Sequence, residues 1–337
     1  YYYKATAASA SNNYPSISDI LSNNTFLQNA SFADVAGGSY VDGVFSTITE
    51  AIEDAEAGAT INVTAGTYNE DLLVNKEGLQ LEADGAVTIS GASSDNNGPF
   101  AVRLAANNIR LEGFTIDNQN ATNGRAIAAS GFDSCEIVNN TIVNAFRGVQ
   151  GDYYGYPTNL SITGNTFSNS VNYGIAGTED MTGLTISGNT FNTIDEGIGL
   201  GAGAGIASGN DVKTMRDANT WSLTGGYAIR DYRTNEVYVK GGTIQNAIDH
   251  PNTVGGDDII VAAGTYNEDL LVNKEGLHLL ADGAVTISGA SSDNNGPFAV
   301  RLAANNIRLE GFTIDNQNAT NGRAIAASGF DSCEIVN

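Results

Sequence analysis

The chain repeats itself almost without change. The segment Ala65–Asn139 returns as Ala263–Asn337, an offset of 263 − 65 = 198 residues, and 73 of the 75 aligned positions are identical. The two exceptions are Gln80 against His278 and Glu82 against Leu280. Upstream the echo is looser: Phe45–Ala55 (FSTITEAIEDA) answers Lys240–His250 (KGGTIQNAIDH). Such a chain must fold into something that accepts tandem addition, and repeat architectures do so because each unit buries its apolar face against the next.

A shorter period lies inside each copy. Segments beginning at Ile109 (IRLEGFTIDN), Cys135 (CEIVNNTIVN), Leu160 (LSITGNTFSN), Leu184 (LTISGNTFNT) and, more weakly, Gly205 (GIASGNDVKT) start 26, 25, 24 and 21 residues apart. Apolar and polar residues alternate in each, the pattern of a strand with one buried face. A corner follows, carrying Asn140, Asn165, Asn189 or Asn210, with Phe114 at the corresponding place in the earliest segment. Asparagine tolerates left-handed backbone, and stacked copies can bond along the stack. A third strand is legible from Arg125, Arg147, Tyr173 and Glu196 (RAIAA, RGVQG, YGIAG, EGIGL). Three short strands per coil predict an all-β parallel β-helix, a solenoid in tandem units. In LQLEA the inward positions are Leu79 and Leu81, so both copy-to-copy differences fall on the solvent side.

At the start of each copy, TITEAIEDAEAG and TIQNAIDHPNTVGG read as a short amphipathic helix and a turn. A helix there caps an end that would otherwise expose unpaired strands. The expected organisation is an N-terminal extension or docking segment (1–40), a first β-helix unit (41–214), a junction (215–240) and an incomplete second unit (241–337). Trp221, Tyr227, Tyr232 and Tyr238 are placed to pack the junction, and Ile17–Leu21 with Phe26 to dock as an edge strand. Because Asn337 corresponds to Asn139, which lies mid-unit, either further copies or a stacked second subunit are expected beyond it.

Charge narrows the partners. Fifteen Lys+Arg against 38 Asp+Glu give −23 at pH 7, which repels nucleic acid and anionic membrane. No apolar run is long enough to span a bilayer, so no membrane insertion is expected. A chain opening at Tyr1 is expected to be a processed secreted protein or a fragment. Cys135 and Cys333 are one position seen twice, in GFDSCEIVN. They read as small apolar thiols, not a disulfide framework. Glycosylation sequons stand at Asn23, Asn29, Asn120, Asn139, Asn159 and Asn318, and at Asn62, a poorer candidate within a strand. An extracellular or cell-surface location follows as the expectation.

With the helix followed by GDDIIVAAGTYNEDLLVNKEGLHLLADGAVTI (Gly256–Ile287) and the GNTF corners, the chain resembles the right-handed parallel β-helix, pectate-lyase-like superfamily. The superfamily includes pectate lyases, alginate epimerases, phage tailspikes and cell-surface repeat proteins. The resemblance covers roughly residues 40–215 and 240–337 and implies fold more than activity. The motifs of the family's enzymes are missing: no Asp-Pro-His cluster, no paired Asp with Gly-His-Gly, no Arg-x-Pro-x-x-Arg. Histidine is absent from the first copy, so chemistry performed by every copy cannot use a His base.

The chain is therefore expected not to be an enzyme. The fallback catalytic column is Arg125, Arg147, Tyr173 and Glu196, read as outward-facing at the head of the third strands, with Glu179, Asp180 and Asp195 close by. Such a column would grip an acidic glycan; the plainer reading is a mixed-charge ladder. Asp152–Tyr156 (DYYGY) offers aromatic rings to a sugar or to its own corner. No cofactor is expected, except Ca2+ at Asp95, Asn96 and Asn97, where oxygen ligands are dense but lack the spacing of a dedicated loop. The leading functional expectation is an extracellular structural repeat protein, a subunit of a filament, surface layer or long adhesin. Its partner would be itself, head to tail, with glycans or the cell surface as further partners. The alternative is a polysaccharide-acting enzyme or tailspike-like glycan binder.

Overall fold

The structure is a computed structural model that describes residues 31–34, 41–91, 100–118, 124–129, 131–151, 155–169, 172–176, 179–289, 298–317, 322–327 and 329–337. It is all-β, with three short helices among the described residues: α1 (Ile48–Asp54), α2 (Val212–Asp217) and α3 (Ile244–Asp249). Two compact units emerge. One comprises Tyr1–Val171, Met181–Asn189 and Gly205–Ser208; the other comprises Asn172–Asp180, Thr190–Ala204 and Gly209–Asn337.

In the first unit, strands stack in parallel as three columns. Along the first column Thr60 pairs with Gln80, Gln80 with Arg110, Arg110 with Glu136, Glu136 with Ser161, and Ser161 with Thr185. Subtracting those numbers gives coils of 20, 30, 26, 25 and 24 residues, a wider range than the sequence period suggests. Strands Gln80–Gly91 and Phe100–Leu104 of the second coil are longer than Thr60–Tyr68 and Leu72–Val74 of the first, and a bulge between Thr64 and Gly66 lets the first pair stay in register. The second column pairs Ile89, Ile116, Ile142 and Phe167 in turn, and the third pairs Phe100 with Arg125 and Arg125 with Arg147. This is the predicted parallel β-helix.

Alternation puts Leu79, Leu81, Leu111, Ile137 and Ile162 fully inside. Burial of one such aliphatic side chain stabilises by about 1.5–3 kcal/mol, so the stack of identical positions is the main source of stability.

The corners differ from expectation in one respect. Asn140, Asn165 and Asn189 do form a buried ladder, but they are not the left-handed residues. Left-handed backbone falls one residue earlier, at Gly113 (φ 83), Asn139 (φ 54), Gly164 (φ 69) and Gly188 (φ 68). The following asparagine then turns inward. Phe114 N donates to Asn140 Oδ1 (3.0 Å), Asn140 N to Asn165 Oδ1 (2.9 Å) and Asn165 N to Asn189 Oδ1 (2.9 Å). Their Nδ2 groups donate to the carbonyls of Leu111, Ile137 and Ile162. Each ladder asparagine satisfies backbone groups that the corner leaves unpaired. Asn210 is exposed and outside the ladder. Its segment keeps only an isolated bridge from Leu184 to Ile206 before Asp211 caps α2.

In the second unit, strand Asp258–Tyr266 pairs in parallel with His278–Gly289, and the latter with Arg308–Asn316. The coils repeat the lengths of their counterparts: Asp258 to His278 is 20 and His278 to Arg308 is 30. Val237, Val261, Leu279 and Leu309 belong to one buried cluster. The hairpin between Thr220–Asp231 and Glu236–Val239 is antiparallel, a departure that the parallel pattern does not anticipate. So is strand Ser31–Asp34, which pairs antiparallel with Thr60–Tyr68. Ile17–Leu21 and Phe26 lie outside the described residues.

Both cap helices are held the same way. Thr47 and Thr243 are the N-caps, accepting from Glu50 N and Asn246 N. Ile48, Ala51 and Ile52 of α1, and Ile244, Ala247 and Ile248 of α3, are buried at the i, i+3, i+4 spacing. A glutamate and a lysine from the following coil then clamp the two ends. Glu70 accepts from Ile48 N (3.0 Å) and Thr49 N (2.9 Å), and Lys76 donates to the carbonyls of Glu53 and Ala55 (2.7 Å each). In the second copy Glu268 accepts from Ile244 N (2.8 Å) and Gln245 N (2.9 Å). Lys274 donates to His250 O (2.8 Å) and Thr253 O (2.6 Å). An acid at the N-terminus and a cation at the C-terminus also suit the helix dipole.

Candidate functional site

The second unit holds an open cleft of about 540 Å3 between strand Thr220–Asp231 and the C-terminal end of α3; Asp195, Glu196, Gly225, Gly226, His250 and Asn252 are among its lining residues. The strand pairing puts Glu196 beside Tyr173 on one side and Tyr227 on the other. His250, the C-cap of α3, covers them. Two glycines make room. A Cβ on Gly225 would lie 1.4 Å from Asp195 Oδ1, and one on Gly226 would lie 2.7 Å from the His250 ring.

Glu196 was expected on an outward column, yet it is only 2% exposed. The segment after α3 closes over it. His250 Nε2 lies 3.2 Å from Glu196 Oε1, and Tyr227 Oη donates to Glu196 Oε2 in a short hydrogen bond. Asn252 N donates to His250 Nδ1 at 3.2 Å, which places the ring proton on Nε2, facing the carboxylate. Burial alone raises the affinity of Glu196 for a proton. Hydrogen bonds from His250, Tyr173 and Tyr227 outweigh it and hold the carboxyl below its ordinary range. Asp195 goes the other way: burial, then the charge of Glu196, pushes it up, with His250 opposing. Tyr227 and Tyr173 are both raised, by burial first and then by the Glu196 charge.

Two adjacent carboxyls with affinities pushed apart are a pattern from which acid–base chemistry can be built. Here, however, the buried member has both oxygens engaged by donors. The arrangement works first as a lock that fastens α3 to the strands beneath it. Metal ligation fits poorly. The ligand atoms of Asp195, Glu196 and His250 lie within 4.8 Å of one another, but a cation at Nε2 would displace its proton to Nδ1, against the Asn252 N–H.

The other expected site residues are scattered. Arg125 Nε donates to Gln150 Oε1 (2.7 Å), and Arg147 lies over the Phe146 ring at 5.3 Å; both belong to the first unit. Tyr173 Oη contacts Tyr232 Oη (3.2 Å) and accepts from Asn252 Nδ2 (3.3 Å). Glu179 and Asp180 are exposed. The Ca2+ candidates Asp95, Asn96 and Asn97 lie outside the described residues, as do Asp152–Tyr154 and the sequons at Asn23, Asn29, Asn120 and Asn318. Cys135 is buried, Cys333 is half-buried and both are free. The residue that sequence reasoning missed is His250. Its only signal was a histidine replacing Ala55 at the end of the repeated helix.

The junction aromatics are built into the second unit. Trp221 stacks on Phe191 (centroids 4.4 Å apart, planes at 8°) and donates to Arg216 O (2.7 Å). Arg216, almost fully buried, pairs with Asp217 (2.9 Å) and Asp282 (2.8 Å). Arg230 pairs with Asp257 at 2.9 Å, both buried.

Comparisons with known proteins give partial or distant matches. Residues 71–222 match the family described as "Protein of unknown function (DUF1565)". A cell surface glycoprotein of Methanothermus fervidus is 37% identical over 92 residues, 27% of this chain and 14% of that protein. The chain thus spans a small part of that relative's length. "Probable pectinesterase A" of Aspergillus niger is 26% identical over 278 residues, 75% of this chain and 78% of that protein. Among solved structures, a pectin methylesterase mutant in complex with a hexasaccharide aligns with TM-score 0.32 and 14% identity, covering 79% of this chain and 75% of the other. A second pectin methylesterase complex gives TM-score 0.27 and 13% identity, covering 80% and 77%. The stacked parallel coils and inward aliphatic columns make this chain a parallel β-helix.

Proposed function

We propose that the chain belongs to an extracellular surface protein in which capped β-helical coil sets repeat as a stiff scaffold, stacked end to end into a filament, surface layer or long adhesin. One observation carries the reading: a Thr-capped helix, the same Glu/Lys clamp and the same inward column occur twice, while within the near-identical 75-residue segment both sequence differences sit at half-exposed outward positions. A repeat that keeps its inward column and its clamp on the cap helix is suited to building length. The Methanothermus fervidus relative, a cell surface glycoprotein, supports the location. Head-to-tail contact of unlike ends gives an open fibre, not a closed ring. Negative-stain microscopy of the native material tests this: rods or fibres are expected, and dispersed compact particles would overturn the assembly.

A second reading, a polysaccharide-acting or glycan-binding protein, draws on the cleft beside Asp195 and Glu196 and on the pectinesterase relative. Under it, turnover of a polyuronate would be lost in Glu196→Gln and Tyr173→Phe. The absence of both turnover and polyuronate binding with wild-type protein removes it.

A further inference from the structure

We infer that Asn139 and Asn159 are N-glycosylated and that Asn62 is not. The inference rests on the surface reading, since it requires export past a glycosylating apparatus. Three sequons fall within the described residues: Asn62-Val63-Thr64, Asn139-Asn140-Thr141 and Asn159-Leu160-Ser161. The motif alone does not separate them; their places in the fold do.

Asn139 and Asn159 are exposed, and both occupy left-handed corners (φ 54 and 52) at the edges of the first strand column. Their carboxamides lie along the stack in the same manner. A Cβ on Gly164 would lie 2.3 Å from Asn139 Oδ1, and one on Gly183 would lie 2.2 Å from Asn159 Oδ1. Each oxygen therefore rests over a glycine of the next coil. Each nitrogen points back to an acid of the previous coil: Asn139 Nδ2 to Glu112 Oε1 (3.2 Å) and Asn159 Nδ2 to Asp133 Oδ1 (2.8 Å). An asparagine Nδ2 has two hydrogens, and these contacts use one. Glycosylation replaces one hydrogen and leaves the other, so both coil-to-coil contacts survive the modification. In the transfer, Nδ2 bonds to the anomeric carbon of a lipid-linked sugar phosphate. The bond from that carbon to the phosphate oxygen breaks, the lipid phosphate leaves with the electron pair, and the displaced proton passes to a base of the transferase.

Asn62 is placed differently. It sits half-buried inside the strand Thr60–Tyr68, paired with Phe32 on one side and Glu82 on the other, and its sequon hydroxyl, Thr64 Oγ1, lies 3.4 Å from Tyr68 Oη. A saccharide there would stand over a strand bonded on both edges.

Glycopeptide mass mapping of the protein taken from the surface of its source cells is the test, alongside Thr141→Ala, Ser161→Ala and Thr64→Ala. These variants break the acceptor motif and leave each asparagine in place. Thr141→Ala and Ser161→Ala are each expected to remove one glycan's mass with the melting temperature little changed, and Thr64→Ala to remove none. Bare Asn139 and Asn159 in exported protein would overturn the inference and leave the surface reading standing. A glycan on Asn62 would overturn its exclusion. Protein confined inside the cell would overturn both the inference and the surface reading.

Discussion

Glu196 shows how one residue's chemistry is set by neighbours that its own segment does not contain. Its folded carboxyl lies below the ordinary 4.5, so ionisation favours the fold. That contribution is complete above about pH 4.5 and is lost as the pH falls through the lower folded value. Glu196→Gln keeps an acceptor for His250 but replaces a charged partner of Tyr227, and is expected to cost about 1–3 kcal/mol at neutral pH. Thermal melts of wild type and variant should differ most above the ordinary carboxylate range and converge as the pH falls through the lowered folded value; a constant gap would show that Glu196 is not ionised in the fold. The EGIGL strand and its register with YGIAG were legible in the sequence. The inward lock was not, because His250 lies 54 positions away (250 − 196) and reaches Glu196 only when α3 folds onto the strand.

At the scale of elements, the helix caps and their clamps form the reusable part. The sequence marks both helices through Thr47 and Thr243 and the i, i+3, i+4 apolar spacing. The roles of Glu70, Lys76, Glu268 and Lys274 became visible only when the next coil was laid beside the helix, since nothing in NEDLLVNKEG by itself points to a helix end. Each lysine makes two bonds to carbonyl groups near a helix end, so Lys76→Met and Lys274→Met are each expected to lower stability by about 1.5–3 kcal/mol in urea titrations. A change below about 0.5 kcal/mol would reduce the clamp to a surface contact. Helix α2 is fastened by a different device. Asp217 is pulled from 3.8 to about 2, first by its hydrogen bond from Arg216, with Lys240 adding to the effect. A depressed carboxyl stabilises the fold above about pH 4 and ceases to do so as the pH falls towards 2. The single tryptophan, Trp221, bonds to Arg216 O and so reports on α2. Its emission should shift to the red over that window, and earlier in Asp217→Asn.

Over the whole molecule, the repeat separates positions that carry the fold from positions that decorate it. Exchanging the first copy's outward pair for the second's, Gln80→His with Glu82→Leu, is expected to change stability by no more than about 0.5 kcal/mol. Leu81→Ala, between them and fully buried, should cost about 2–5 kcal/mol. Equal costs in urea titrations would mean that the alternation does not set the register. The sequence by itself determined the parallel coils, the inward column of Leu79, Leu81 and Leu111, and the capping helices, because each is written in local periodicity that every copy repeats. Tertiary structure alone decided coil lengths of 20 and 30, which asparagine enters the ladder and which is left-handed, and the meeting of Glu196 with His250. It also decided burial: Glu196, which its own segment presents as outward, is only 2% exposed once Tyr227 and His250 close on it. The reason is physical. Periodicity fixes which way a side chain points, but only a neighbouring coil removes it from water.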